Sequence, residues 1–249
     1  FLEAQLALAE LQVRGGKADE ALAMARQIQK QRPKEPAGYL LEGSVLQSQG
    51  KDALAVGPYE QALALSGGPL VQTKLHSALT RAGKTKDADT RLAQWRKQAP
   101  GDMQLAMYVA DTMLANKQYK EAIVELELML VKAPNNPVLL NNLAWAYQQV
   151  KDPRALKTAE KALAGAGDNA SVLDTLGHIL VEQGDARRGL GYLKSAAAKS
   201  PADGNIRLHL AQALARTGDK AGARKELEHA MAAKGFAKMD EARALQQSL

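Results

Sequence analysis

The sequence predicts an all-α fold: a solenoid of seven helix-turn-helix units, closed by one further helix at the C-terminus. Three observations carry that prediction. Breaker residues recur with one period, since Pro33, Gly67, Pro100, Pro134, Gly167, Pro201 and Gly235 stand 33 or 34 residues apart in the 249-residue chain. Repetition at this spacing marks stacked supersecondary units. A second series of turn residues, Gly16, Gly50, Gly83, Lys117, Lys151, Gly184 and Gly218, falls between the breakers. Ala and Leu are abundant while only 4% of residues are aromatic, a balance that favours helix over sheet.

Each unit therefore reads as helix, turn, helix, breaker, with spans of about 2–35, 36–68, 69–102, 103–136, 137–169, 170–203 and 204–235. Proline ends a second helix because it lacks an N–H and clashes with the preceding turn; glycine ends one by adopting a left-handed cap. In the first helices Leu8, Leu75, Val109, Leu143, Leu176 and Leu210 share one position, with Glu42 as the exception. The next residue is small (Ala9, Gly43, Ala110, Ala144, Gly177, Ala211), His76 being the outlier. In the second helices Ala21, Ala55, Ala88, Ala122, Ala155, Gly189 and Ala223 are small throughout. Helices approach closely only where the crossing lacks side-chain bulk, so the matched small positions predict antiparallel pairs. The inner turn of the fifth unit is one residue short, around Asp152-Pro153. In the third unit His76 fills a position that is small elsewhere and Trp95 one that is usually Ala, which reads either as a local change in helix separation or as a junction or hinge. After Gly235, residues 236–249 supply Phe236 and a helix whose Met239, Ala242, Leu245 and Leu249 cover the last unit, as solenoid ends require. Phe1-Leu2 start inside a unit, so the natural protein is expected to continue upstream with further repeats, this chain being an excised or processed piece.

Composition excludes several functions. Lys and Arg number 33 against 27 Asp and Glu, a net charge of +6. The excess is spread over both halves, so no basic arm points to nucleic acid. Cysteine is absent, which removes disulfides, thiolate metal sites and cysteine nucleophiles. No apolar run has the length of a membrane span. Gly165-Ala166-Gly167-Asp168-Asn169-Ala170 has the letters of a dinucleotide fingerprint but joins two helices, whereas that motif needs a preceding strand. Gly83-Lys84-Thr85 resembles the end of a phosphate loop, yet Ala78 stands where its first glycine is required. No nucleophile elbow and no His-Glu-x-x-His pair occurs. Of four histidines, His229 reads as a solvated outer residue and His76 as a packed one. Asp174 and His178 share a helix face and His209 lies on the next unit's first helix, making either a metal or proton-linked site or a polar surface lining. No catalytic residue, cofactor or metal is assigned.

The order of small residue after Leu, Ala early in the second helix and Pro or Gly at its end resembles the tetratricopeptide repeat. Asn141-Asn142-Leu143-Ala144-Trp145-Ala146-Tyr147 and Tyr119-Lys120-Glu121-Ala122 are good matches to it, and the resemblance covers residues 2–235. It implies a right-handed superhelix whose first helices line a concave groove. The groove residues would include Arg81, Met107, Asp111, Asn141, Trp145, Gln148, Asp174, His178, Glu182, Gln212 and Arg216, with Glu10, Arg14 and Ser44 nearer the N-terminus. Such a surface suits a peptide or partner protein held by side-chain hydrogen bonds and an aromatic anchor. Trp145 is either that anchor or a packing residue against a neighbouring helix. The Lys and Asn pattern of the family's chaperone-binding carboxylate clamp is missing. Residues 139–249, and 36–46, are further similar to the repeat lipoproteins of the PEP-CTERM/exosortase system. That resemblance implies a scaffold of exopolysaccharide production or protein sorting, periplasmic or outer-membrane-associated in a Gram-negative bacterium. The expected function is thus a non-enzymatic protein-interaction scaffold. An oligosaccharide-binding module is the alternative, for which the groove offers Trp145 and Tyr108 as stacking surfaces.

Overall fold

The computed structural model describes residues 1–66 and 68–249; Gly67, expected as a breaker, lies outside them. Among the described residues the chain forms fifteen α-helices and no strand. They are α1 (Leu2–Arg14), α2 (Ala18–Gln31), α3 (Ala37–Ser48), α4 (Asp52–Ser66), α5 (Pro69–Arg81), α6 (Thr85–Gln98), α7 (Met103–Ala115) and α8 (Tyr119–Lys132). There follow α9 (Pro137–Gln149), α10 (Ala155–Ala166), α11 (Ala170–Glu182), α12 (Ala186–Lys199), α13 (Gly204–Arg216), α14 (Lys220–Ala232) and α15 (Met239–Ser248). Among the described residues no helix is long and apolar enough to cross a membrane. The helices gather into two compact units, Phe1–Tyr108 and Val109–Leu249. The boundary falls inside α7, whereas His76 and Trp95 are both buried within the first unit.

The small positions are where the helices meet. Ala21, Ala55, Ala88, Ala122, Ala155 and Ala223 are wholly buried, and so is Gly189. A Cβ on Gly189 would stand 2.6 Å from the Gly177 carbonyl oxygen, and one on Gly177 would stand 2.7 Å from Leu193 Cγ. The α11–α12 crossing is thus a backbone-to-backbone approach that tolerates no added methyl. At the Leu position, Leu75, Val109, Leu143, Leu176 and Leu210 are buried, but Leu8 is 46% exposed. Glu42 takes that position in α3 by satisfying its carboxylate: Gln29 donates to it at 2.7 Å and the Arg26 guanidinium stands 3.6 Å away. His76 is accommodated by Tyr108, whose hydroxyl meets its Nδ1 at 2.6 Å with the rings edge to face. Burial pushes the His76 pKa below its ordinary value.

Every inner-turn residue named above has positive φ, from 58° at Lys151 to 96° at Gly184. Five are glycines, which adopt this region freely; Lys117 (φ 60°) and Lys151 are not. In the fifth unit the second helix begins four residues after the left-handed residue instead of two. Asp152 shapes that turn by accepting the Arg154 N–H at 2.9 Å and binding its guanidinium at 2.8 Å. The outer turns carry capping residues that the breaker pattern did not single out. Asp102, Asn136, Asn169 and Asp203 each accept two backbone N–H groups at the start of the following first helix, supplying partners for donors that helix geometry leaves open. At the C-terminus Ala242 of α15 is buried against Leu208, Leu227 and Ala230, with Phe236, Leu245 and Leu249 packed around them. Met239 is only half-buried.

Two opposite changes in stability follow from this backbone geometry and can be read as shifts in denaturant midpoint. Lys117→Gly and Lys151→Gly each stabilise by about 0.5–1 kcal/mol, relief of left-handed strain exceeding the entropy glycine adds to the unfolded chain. Gly189→Ala destabilises by about 1–3 kcal/mol, because the methyl must displace the Gly177 backbone.

Candidate functional site

In the second unit three successive first helices bring aromatic rings together. Trp145 comes from α9, His178 from α11 and His209 from α13. The His178 and His209 ring centroids are 4.3 Å apart, and that of Trp145 lies 5.4 Å from His178 and 5.9 Å from His209. Residues about one period apart on stacked hairpins meet in this way because each first helix lies beside the next.

Hydrogen bonding fixes one of the rings. His209 Nδ1–H donates to both carboxylate oxygens of Asp174, at 2.9 and 3.0 Å, and both side chains are largely enclosed. The acceptor-only carboxylate assigns the proton to Nδ1. His178 has a different environment: burial is the main cause, and His209, Lys238 and Arg216 add to it, of a pKa pushed down to about 3. At neutral pH His178 is therefore an uncharged aromatic surface. Lys238, from the segment before α15, sets its ammonium 5.8 Å from the Trp145 ring centroid, within cation–π range. Trp145, Asp174, His209 and Lys238 line a cleft of about 300 Å³ with Ser171, Thr175, Asp203, Asn205 and Ile206.

Trp145 is half-exposed, so it both packs on the histidine rings and presents surface to the cleft. One turn earlier on α9, the Asn141 side-chain oxygen is buried without a hydrogen-bond partner among the described residues, as is that of Gln212 on α13. A buried unpaired acceptor costs about 1–3 kcal/mol. The Asp174 carboxylate thus holds the His209 ring in one orientation, and no hydrogen bond joins that ring to a hydroxyl among the described residues. Among the described residues no group of three His, Asp or Glu side chains is placed to hold a metal ion.

The other expected residues are distributed around this cluster. Glu182 and Arg216 form an ion pair at 2.6 Å, and Arg216 also donates to the Val181 carbonyl at 2.7 Å. Gln212 donates to Glu241 of α15 at 2.8 Å. Together with Leu245 and Leu249, Glu182, Gln212 and Arg216 border a second cleft of about 430 Å³. Asp111 accepts from Asn142 at 3.0 Å, and desolvation pushes its carboxyl pKa up. Gln148 is half-buried on α9. Arg81 and Met107 belong to the first unit, where Arg81 pairs with the buried Asp52 at 3.0 Å. That unit has its own, more apolar cleft of about 490 Å³, in which Leu6, Val13, Leu40 and Leu70 stand beside Glu10, Arg14, Ser44 and Lys74. Tyr108, a candidate sugar-stacking residue, is engaged with His76. Sequence reasoning missed Lys238 and Asn205; a lysine after a breaker carries no signal of its own.

The depressed His178 pKa makes stability pH-dependent. The unfolded chain takes up its proton near pH 6.5 and the folded chain only near pH 3, so stability rises with pH between these values and is fully present above about 6.5. From pH 7 to pH 5 this one group removes up to about 2 kcal/mol. His178→Gln should flatten that part of the stability profile in denaturant titrations at the two pH values.

Comparison with known proteins agrees with the helical hairpins. Two tetratricopeptide repeat models match: one over residues 6–68 and 76–137, half of the chain, and another over 180–249. No curated protein sequence matches. Among solved structures, a tetratricopeptide repeat protein from Parabacteroides merdae superposes with TM-score 0.73 at 14% identity, over 99% of this chain and 97% of its own. The Cut9-Hcn1 APC/C hetero-tetramer gives 0.70 at 14% identity over 96% of this chain; the chain spans 47% of that one. The C-terminal part of a repeat-containing protein from Cytophaga hutchinsonii gives 0.57 at 13% identity, over 96% of this chain and 98% of its own. These likenesses are of fold. With half of its length matched by one repeat model and an all-helical hairpin architecture, the chain belongs to the tetratricopeptide repeat family, whose repeats generally mediate protein–protein interaction.

Proposed function

We propose that the chain is a non-enzymatic scaffold that binds a peptide or partner protein along the first helices of its second unit, with Trp145 as the anchor. The observation that carries this reading is the half-exposed Trp145 lining a cleft together with Lys238, with the Asn141 oxygen, buried and unpaired among the described residues, one turn away. Trp145 offers an apolar face, Lys238 has no carboxylate partner among the described residues, and Asn141 accepts a donor. A segment with an apolar or aromatic side chain next to a carboxylate satisfies the first two, and a backbone N–H satisfies the third. The stretches of 139–249 that resemble the PEP-CTERM/exosortase lipoproteins support placing this scaffold in a bacterial cell-envelope exopolysaccharide or protein-sorting system. Fractionation of cells that encode the protein tests this placement directly.

Peptides selected from a random display library should bind the chain saturably, with acidic and apolar residues enriched side by side. Trp145→Ala and Lys238→Ala should each weaken binding about tenfold or more, the loss typical of a contact worth at least 1.4 kcal/mol. In a Trp95→Phe background the remaining Trp145 reports occupancy by fluorescence. Selection of no peptide, together with saturable oligosaccharide binding lost on Trp145→Ala, would replace this reading by a sugar-binding one.

A further inference from the structure

On α8 the outward face is apolar. Val124, Leu128 and Val131 are 56%, 61% and 80% exposed, and their i, i+4, i+7 spacing aligns them in one stripe along the helix. The second helices of the other repeats do not share it: the residues equivalent to Leu128 are Gln27, Gln61, Gln94, Lys161, Ser195 and His229, all polar. The stripe is therefore not a requirement of the repeat. The opposite face of α8 already has its core, with Ala122, Leu126 and Met129 buried.

The charges beside the stripe define what fits it. Exposed Glu121 and Lys132 have no partner among the described residues. At 100° per residue they lie along the same edge of the stripe at opposite ends. Two copies of α8 packed antiparallel about a two-fold axis bring Leu128 near its counterpart, Val124 toward Val131, and Glu121 of each copy toward Lys132 of the other. Parallel packing would put the two charged edges on opposite sides of the seam and leave Glu121 and Lys132 unpaired. We propose that α8 is a self-association surface on which a second copy of this chain docks antiparallel through Val124, Leu128 and Val131. A 14-residue helix is about 21 Å long and alone offers far less than the ~1,600 Å² of a standard stable interface, so the dimer is weak and concentration-dependent.

Sedimentation of the full chain from micromolar to millimolar concentration tests this. The weight-average mass should climb toward twice the monomer value, and Leu128→Asp, an exposed site whose substitution leaves the circular-dichroism melt unchanged, should abolish the climb. Glu121→Lys and Lys132→Glu should each associate at least tenfold more weakly than the parent. An equimolar mixture of the two should recover the parent's association, because both cross-pairs are then restored. The proposal is overturned by a chain that stays monomeric throughout, which would leave the stripe to a partner of different sequence. It is equally overturned by association that survives Leu128→Asp or disappears with Leu11→Asp on α1, and by a mixture that fails to recover.

Discussion

The helical pairs depend on a single kind of contact, the close approach of two helix backbones at a crossing emptied of side chains. At α11–α12 the carbonyl of Gly177 lies where a Cβ of Gly189 would be; elsewhere a buried alanine of the second helix occupies the same role. Because this contact recurs every 33 or 34 residues, the larger side chains on either side have little freedom in where they pack. Burial of Leu143, Leu176 and Leu210 on the first helices and of Leu126, Leu193 and Leu227 on the second follows from it. Polar residues enter these positions only with a partner: Glu42 with Gln29 and Arg26, His76 with Tyr108.

Regular crossings also set the spacing between successive first helices, and the candidate site is a consequence of that spacing. Trp145, His178 and His209 come from different repeats, yet their rings stand within 6 Å of one another. Asp174 then orients His209, while enclosure and neighbouring positive charge keep His178 neutral. The resulting surface is aromatic on one side and cationic at Lys238, while the side-chain oxygens of Asn141 and Gln212 are buried without a hydrogen-bond partner among the described residues. The proposed recognition of another chain draws on that combination of an apolar face and a neighbouring cation.

Much of the fold was legible from residue spacing. The inner-turn residues read from the sequence are the left-handed ones, Lys117 and Lys151 included, and the small positions are the buried crossings. Less of the site was legible. Asp174, His178 and His209 could be related through the repeat period, but whether Trp145 packed or lay open could not be read; it packs on both histidine rings and keeps part of its surface uncovered. Lys238 was invisible, since its position depends on the path taken by the segment between α14 and α15. Leu8 followed the core pattern and is nonetheless exposed, because a pattern specifies a face and not what covers it.

The sequence by itself determined helix content, repeat period, turn positions and the faces along which the helices pair. These follow from local sterics and periodicity, which act within a few residues: proline without an N–H, glycine without a Cβ, apolar residues returning every 3.6 positions. Tertiary structure alone decided which side chains of different repeats meet, which amide oxygens are buried unpaired, and which apolar stripe remains open. Within α8 by itself, the spacing of Val124, Leu128 and Val131 reads as a core face, although the equivalents of Leu128 in the other repeats are polar. Only the packing of α8 through Ala122, Leu126 and Met129 turns them toward solvent. The physical reason is that a helix specifies its apolar surfaces, whereas burial depends on the neighbours that the rest of the chain supplies.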